Sequence, residues 1–307
     1  MFGFDGLTKE RQGEGIIFTE SFLWSLFPII TILALRDVSS SLALFWSMIF
    51  ATVFFGLILI MRKGWKDLKN REAFTDILAA TFIINIVYYL LFFNGLRYTT
   101  AGNASLIGLT EMLFSFLFFN VWRREYLSGA HIVGAVLMLT GAIIVLLPNI
   151  HRFQLGDLLI LLACSVTPFG NYFQRRARKY VGSETILFVR SVVSLPVIWV
   201  IVCMSGVSVL TIDLTGSLGF LFINGFVMLG LSKILWIEGI HRISVTKATA
   251  INSIVPLMTL IFAWMILGNA PTAYQMASFI PMFFGVMLLG KNNVVEIGRL
   301  QKIKNAI

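Results

Sequence analysis

The chain alternates between long apolar blocks and short polar breaks. Ten blocks run over approximately 14–35, 39–61, 72–96, 99–122, 128–148, 155–175, 183–205, 215–240, 244–268 and 271–290. Blocks of about 18–25 residues are long enough to cross a bilayer core about 30 Å thick as helices. The strict apolar–polar alternation of barrel strands is absent from them. The breaks are mostly short, with no room for a soluble domain and no low-complexity linker. The pattern predicts an all-α membrane protein with ten transmembrane helices.

Composition agrees. Of 307 residues, 58% are hydrophobic and 13% are charged, about half the charged fraction of a soluble domain. The net charge of +9 does not point to nucleic acid, because its placement has a simpler cause. With the N-terminus cytoplasmic, the inner tails and loops carry Lys9, Arg11, Arg62, Lys63, Lys66, Lys69, Arg71, Arg123, Arg124, Arg175, Arg176, Arg178, Lys179, Arg242, Lys291, Arg299, Lys302 and Lys304, whereas the outer loops carry Arg36, Arg97 and Arg152. This is the positive-inside bias, and it places both termini in the cytoplasm. Clusters such as "RKGWKDLKNR" read as topology signals in contact with anionic headgroups of the lipid bilayer. The first block is expected to be retained rather than cleaved as a leader: Glu20 and Pro28 interrupt it, and no small-x-small site follows. Cys164 and Cys203 fall inside blocks six and seven without metal or disulfide spacing, and read as small buried residues. No metal and no cofactor is expected.

The chain also repeats itself at an offset of 144 residues. "NGLRYTTAGNASLIGLTEMLF" (Asn94 to Phe114) aligns without gaps on "EGIHRISVTKATAINSIVPLM" (Glu238 to Met258). Gly95 meets Gly239, Ala104 meets Ala248, Met138 meets Met282 and Gly141 meets Gly285. At a slightly shorter offset "SLFP" (Ser25 to Pro28) resembles "SVTP" (Ser165 to Pro168). Each unit holds five blocks, an odd number, so the second must enter the membrane in the opposite sense. Inverted repeats of this kind are common in secondary transporters, with substrate held near the midplane between the halves.

On these residues the sequence resembles the drug/metabolite transporter superfamily, in its ten-helix EamA-type branch. The family's paired units carry a pattern like small-x-N/K-A-x-L-x-x-x-x-E-P followed by L-G-E-x-x-S/T. Here the copies read "AGNASLIGLTEM" with "WRREYLS", and "VTKATAINSIVP" with "ILGNAPT". Met112 stands where the first copy would have Pro, and Val255 where the second would have Glu, so the halves are not expected to be functionally equivalent. The resemblance implies a cytoplasmic tail over 1–13, EamA-like five-helix repeats over 14–150 and 151–290, and a second tail over 291–307. It implies transport of small organic metabolites, with export and amino acids or related amphipathic compounds foremost. A bacterial inner membrane suits the family and the short loops.

Two charges lie deep inside apolar blocks. Glu111 is about eleven residues from either end of its block, roughly 16 Å at about 1.5 Å per residue, beyond the reach of snorkelling. A carboxylate there must be protonated, paired or binding something. Ile107 and Ser115 lie on its face, with Gly108 one turn back, which suits a small polar niche. It reads either as a substrate or proton site or as a structural glutamate bonded to a neighbouring helix. Lys233 is about seven residues, roughly 10 Å, from its helix end. It either binds a substrate carboxylate or phosphate or forms a fixed pair with Glu111 or Glu20. Tyr89 is the repeat mate of Lys233, and Phe92 that of Trp236, so Tyr89 and Trp236 are candidates to line the same cavity. Arg190 reads as a snorkelling or structurally paired residue near the cytoplasmic end, Asp157 and Glu238 as interfacial, and Asn85, Asn94, Asn171 and Asn224 as helix-to-helix bonds. Small residues at Ala130, Gly134, Gly141, Ser278 and Gly285 permit close contact of blocks five and ten. In the family such helices pack on one another or on a second protomer, so a homodimer is allowed but not implied.

Competing classes are weaker. His131, His151 and His241 are near block ends, and neither HExxH nor G-x-S-x-G occurs, so an intramembrane enzyme is not expected. A P-loop is absent too, which leaves an ion or substrate gradient as the driving force, with Glu111 suited to proton coupling. A membrane scaffold or lipid-handling protein is the alternative, and the charges at Glu111 and Lys233 argue against it.

Overall fold

The computed structural model describes residues 8–122, 128–147, 154–205 and 216–290, and all regular structure in them is helical. Among the described residues, nine helices are long and apolar enough to span a membrane. They are α1 (Lys9–Ala34), α2 (Ser40–Met61), α3 (Arg71–Leu96), α4 (Ala101–Trp122), α5 (Gly129–Leu146), α6 (Leu155–Ala177), α7 (Ser183–Met204), α8 (Leu218–Ile240) and α9 (Lys247–Leu267). A tenth, α10 (Ala273–Leu289), is one residue shorter than α5. Helix α1 starts five residues ahead of the expected block because the Thr8 hydroxyl accepts from the Arg11 amide at 3.4 Å. Residues 9–13, expected in the cytoplasmic tail, are therefore helical. The expected inner and outer charges Arg123, Arg124, Arg152 and those from Lys291 onward lie outside the described residues.

The repeat is written into the helix ends and irregularities. The offset of 144 carries Thr100 onto Ser244 and Ser128 onto Thr272, and all four are hydroxyl N-caps, of α4, α9, α5 and α10 respectively. A capping hydroxyl satisfies an amide that the first helical turn leaves unpaired. The same offset carries Leu109, where α4 breaks, onto Ser253, where α9 breaks before Pro256. Wide π-helical turns occupy Thr81–Tyr88 in α3 and Ile223–Leu231 in α8, again in matching places. Such turns recur at functional sites because the extra residue re-aims the side chains that follow. Pro28 and Pro168 lie within α1 and α6, as the "SLFP" and "SVTP" match places them.

The closest seam joins α5 to α10. A Cβ on Gly134 would lie 3.0 Å from the Gly285 carbonyl oxygen, and one on Gly285 would lie 2.6 Å from Met138 Cγ. The small residues of the two helices thus face each other within one chain, which lets dispersion contacts replace the missing hydrophobic drive between helices in lipid. Polar links also join the repeats: Asn224 Nδ2 donates to Thr31 Oγ1 at 2.7 Å, and Thr259 Oγ1 donates to the Ser25 carbonyl at 2.9 Å. Asn224 therefore bonds a neighbouring helix as expected, whereas Asn94 bonds the Leu90 carbonyl of its own helix. The outward faces are apolar, with Val136, Leu139, Ile280 and Phe284 more than half exposed. Cys203 is exposed rather than buried; Cys164 is buried.

Gly285→Val is expected to destabilise the folded protein by roughly 1–3 kcal/mol through overpacking, read as a lowered Tm in detergent. Gly129→Ala, at a position with open space around it, is expected to leave Tm unchanged.

Candidate functional site

A cavity of about 510 Å³ lies between the two repeats, bounded by residues of α1–α4 and α6–α9, with Val286 of α10 at its edge. All six residues singled out in the sequence, Glu111, Lys233, Tyr89, Trp236, Gly108 and Ser115, line it. The break at Leu109 shapes the α4 wall. Ile107, expected beside Glu111, is instead fully buried in the packing, and its carbonyl accepts from Thr110 Oγ1 at 2.6 Å. Gly108 is left facing the cavity with open space where a Cβ would stand. Glu111 is half-buried, and the Asn171 side chain of α6 lines the cavity beside it. Asn171, expected to bond a neighbouring helix, thus faces the cavity.

Lys233 lies within electrostatic reach of Glu20, Glu111 and Arg190. Among the described residues it forms no ion pair within 4.0 Å, so the fixed pair with Glu20 or Glu111 is not made. Its Nζ stands instead 3.5 Å from the centroid of the Trp24 ring, a cation–π contact that leaves both carboxylates uncommitted. The Trp24 ring stacks on Phe27 at 4.6 Å, Phe27 on Phe92 at 5.5 Å and Phe92 on Tyr88 at 5.5 Å. This run of rings joins α1 to α3 and forms one wall. Tyr172 and Trp264 are not part of it: Tyr172 packs against Phe118, and Trp264 is largely exposed on the outer face.

Three further charged residues are held by side chains of neighbouring segments. Arg190 does not snorkel. It is 5% exposed, and its Nε and Nη2 donate to Asn85 Oδ1 at 3.0 and 2.5 Å while Nη1 donates to Gln174 Oε1. Glu20 is 2% exposed, lines the cavity and accepts from Asn252 Nδ2 at 3.3 Å. Asp157 sits in the first turn of α6, as expected, and is 2% exposed there, bonded to Thr99 Oγ1 and Asn103 Nδ2 of the other repeat. The place of Arg190 in the cavity could have been found by asking which charges in apolar blocks share a depth with Glu111 and Lys233. Glu238 does sit at its helix end, between Arg62 and Arg242.

Comparison with known proteins follows the same division. Residues 11–147 and 154–291 each match the EamA-like transporter family. A protein of Methanothermobacter thermautotrophicus described as an uncharacterized transporter is 29% identical over 247 residues, 75% of this chain and 68% of that protein. A solved structure described only as the crystal structure of a protein shares the fold, with a TM-score of 0.68 at 17% identity, covering 91% of this chain and 97% of its own. The two matched segments carry the two halves of the cavity wall, and the chain belongs to the EamA-like transporter family of multi-pass membrane transporters.

Proposed function

We propose that the protein is a secondary transporter that carries small organic metabolites, amino acids or related amphipathic compounds foremost, by alternating access between its two repeats. The observation that carries this reading is the cavity itself. About 510 Å³ accommodates one small molecule. It combines charged side chains with aromatic walls at the interface of the inverted halves, where transporters of this architecture hold substrate.

Repeat-related contacts at opposite ends support alternation. At one end, Asn103 Nδ2 donates to Asp157 Oδ2 at 3.3 Å, and Gln275 Nε2 donates to Asn103 Oδ1 at 2.7 Å. The offset of 144 carries Asn103 onto Lys247 and Asp157 onto Gly13. At the other end Lys247 pairs with Glu10 at 2.6 Å and with Glu14, the residue next to Gly13. Each contact ties the start of α4 or α9 to the start of α6 or α1 across the repeat boundary. The first is buried and the second is exposed. Cavity-lining Gln174, Leu187, Trp236 and Thr249 all lie about one helical turn or less from the Lys247 end. A second hollow lined by Lys9, Arg62, Arg178, Glu238 and Arg242 adjoins that end. These features favour a resting form closed by the Asp157 contact and accessible from the Lys247 end, which the positive-inside bias makes cytoplasmic. Loading from that side suits export, and Glu111, facing Lys233, Tyr88, Tyr89 and Asn171, is the group proposed to carry a coupling proton.

Proteoliposomes given a panel of amino acids, organic cations and carboxylates are expected to accumulate at least one compound when a pH gradient is imposed, and to lose accumulation when an ionophore collapses it. Glu111→Gln is expected to abolish gradient-driven accumulation while retaining exchange. No flux of any compound in the panel would overturn the proposed substrate class. In a variant lacking Cys164 and Cys203, Gly108→Cys and Ser115→Cys are expected to react with membrane-impermeant thiol reagents, and Val136→Cys on the outer face is not.

A further inference from the structure

Arg190 is the one strongly basic group on the α3, α6 and α7 side of the cavity, and its surroundings are unusual. A guanidinium in a protein stays charged and offers five N–H donors. Here three are engaged: Nε and Nη2 on Asn85 Oδ1, and Nη1 on Gln174 Oε1. One donor therefore remains on each terminal nitrogen. Both acceptors are neutral amides, which fix the position of the guanidinium without neutralising it. No carboxylate lies within 4.0 Å of Arg190 among the described residues. Glu20 and Glu111 are instead in electrostatic reach of Lys233, while Tyr89, one turn from Asn85 on α3, lines the same cavity in electrostatic reach of both Arg190 and Glu111.

Burying a charge with no counter-ion is costly, and such a group inside a membrane protein marks a place where an opposite charge binds. Two donors on adjacent terminal nitrogens match the two oxygens of a carboxylate or phosphate group. Asn85, whose amide oxygen accepts from the guanidinium, belongs to the wide turn Thr81–Tyr88 of α3. We propose that Arg190, positioned by Asn85 and Gln174, is the anchor for an oxyanion group of the substrate. The rest of that molecule then extends past Tyr89 toward Glu111 and Trp24. This rests on the reading of the cavity as a substrate site.

The test is ligand titration of the purified full chain, followed by its tryptophan fluorescence, since Trp24 and Trp236 line the cavity. The probes are benzoate, phenyl phosphate and uncharged benzamide at constant ionic strength. Wild type is expected to bind benzoate, phenyl phosphate or both at least roughly tenfold more tightly than benzamide, the scale of a charge-assisted hydrogen bond. Which anion binds more tightly assigns the group as carboxylate or phosphate. Arg190→Gln is expected to erase the preference, and Asn85→Ala to weaken it while the charge remains. Arg190→Lys is expected to keep a reduced preference, and with the wild-type comparison it decides the matter if Arg190→Gln does not fold. Equal binding of benzamide and both anions to wild type, or an undiminished anion preference in Arg190→Gln, would overturn the proposal. Anion preference without flux of any compound would leave the Arg190 site standing and remove the transporter reading instead.

Discussion

Charge inside hydrocarbon is the constraint on which this structure turns. Glu20, Glu111, Arg190 and Lys233 lie within apolar helices, and each would cost roughly 2.5–3.5 kcal/mol at a helix centre on insertion scales if it faced lipid. All four line one cavity between the repeats. The rotation of α1, α4, α7 and α8 about their axes is thereby decided: the charged stripe faces in, and residues such as Phe18, Val200 and Leu117 face out. Side chains that hydrogen-bond across these helices, Asn85 and Gln174 to Arg190 and Asn252 to Glu20, hold inward charges without fixed ion pairs.

The inverted repeat supplies symmetry, and substitutions within it supply asymmetry. Tyr89 and Lys233 occupy matching places in α3 and α8, each after a wide helical turn, yet only one is charged. Glu111 and Val255 differ in the same way across α4 and α9. One backbone plan thus presents unlike chemistry from its two halves. The helix breaks at Leu109 and Ser253 do the same work in both: each places irregular backbone beside the cavity, where a bilayer tolerates it.

Much of this was legible in the sequence. Block lengths gave the spans, the offset of 144 gave the pairing of helices, and single charges in apolar runs gave Glu111 and Lys233. Three features were hidden for physical reasons. Arg190 lies only seven residues from the start of α7, a depth at which a long side chain can reach headgroups, so distance along the helix could not decide its direction. Asp157 sits two residues into α6, and its burial depends on the neighbouring repeat folding Thr99 and Asn103 over it. The wide turns in α3 and α8 carry no proline or glycine signature common to both: Gly225 and Gly230 lie in the second, and the first has neither residue type.

The central claim is that the two ends of the cavity open in alternation. Pulsed-EPR distances between spin labels at Tyr98 and Tyr274, on opposite repeats at the Asp157 end, and at Lys66 and His241, on opposite repeats at the Lys247 end, test it most directly. All four side chains are exposed. The account predicts two populations at each end whose weights change in opposite directions when a transported compound or a pH gradient is applied. Distances that stay fixed under every condition, or that widen together, would contradict it.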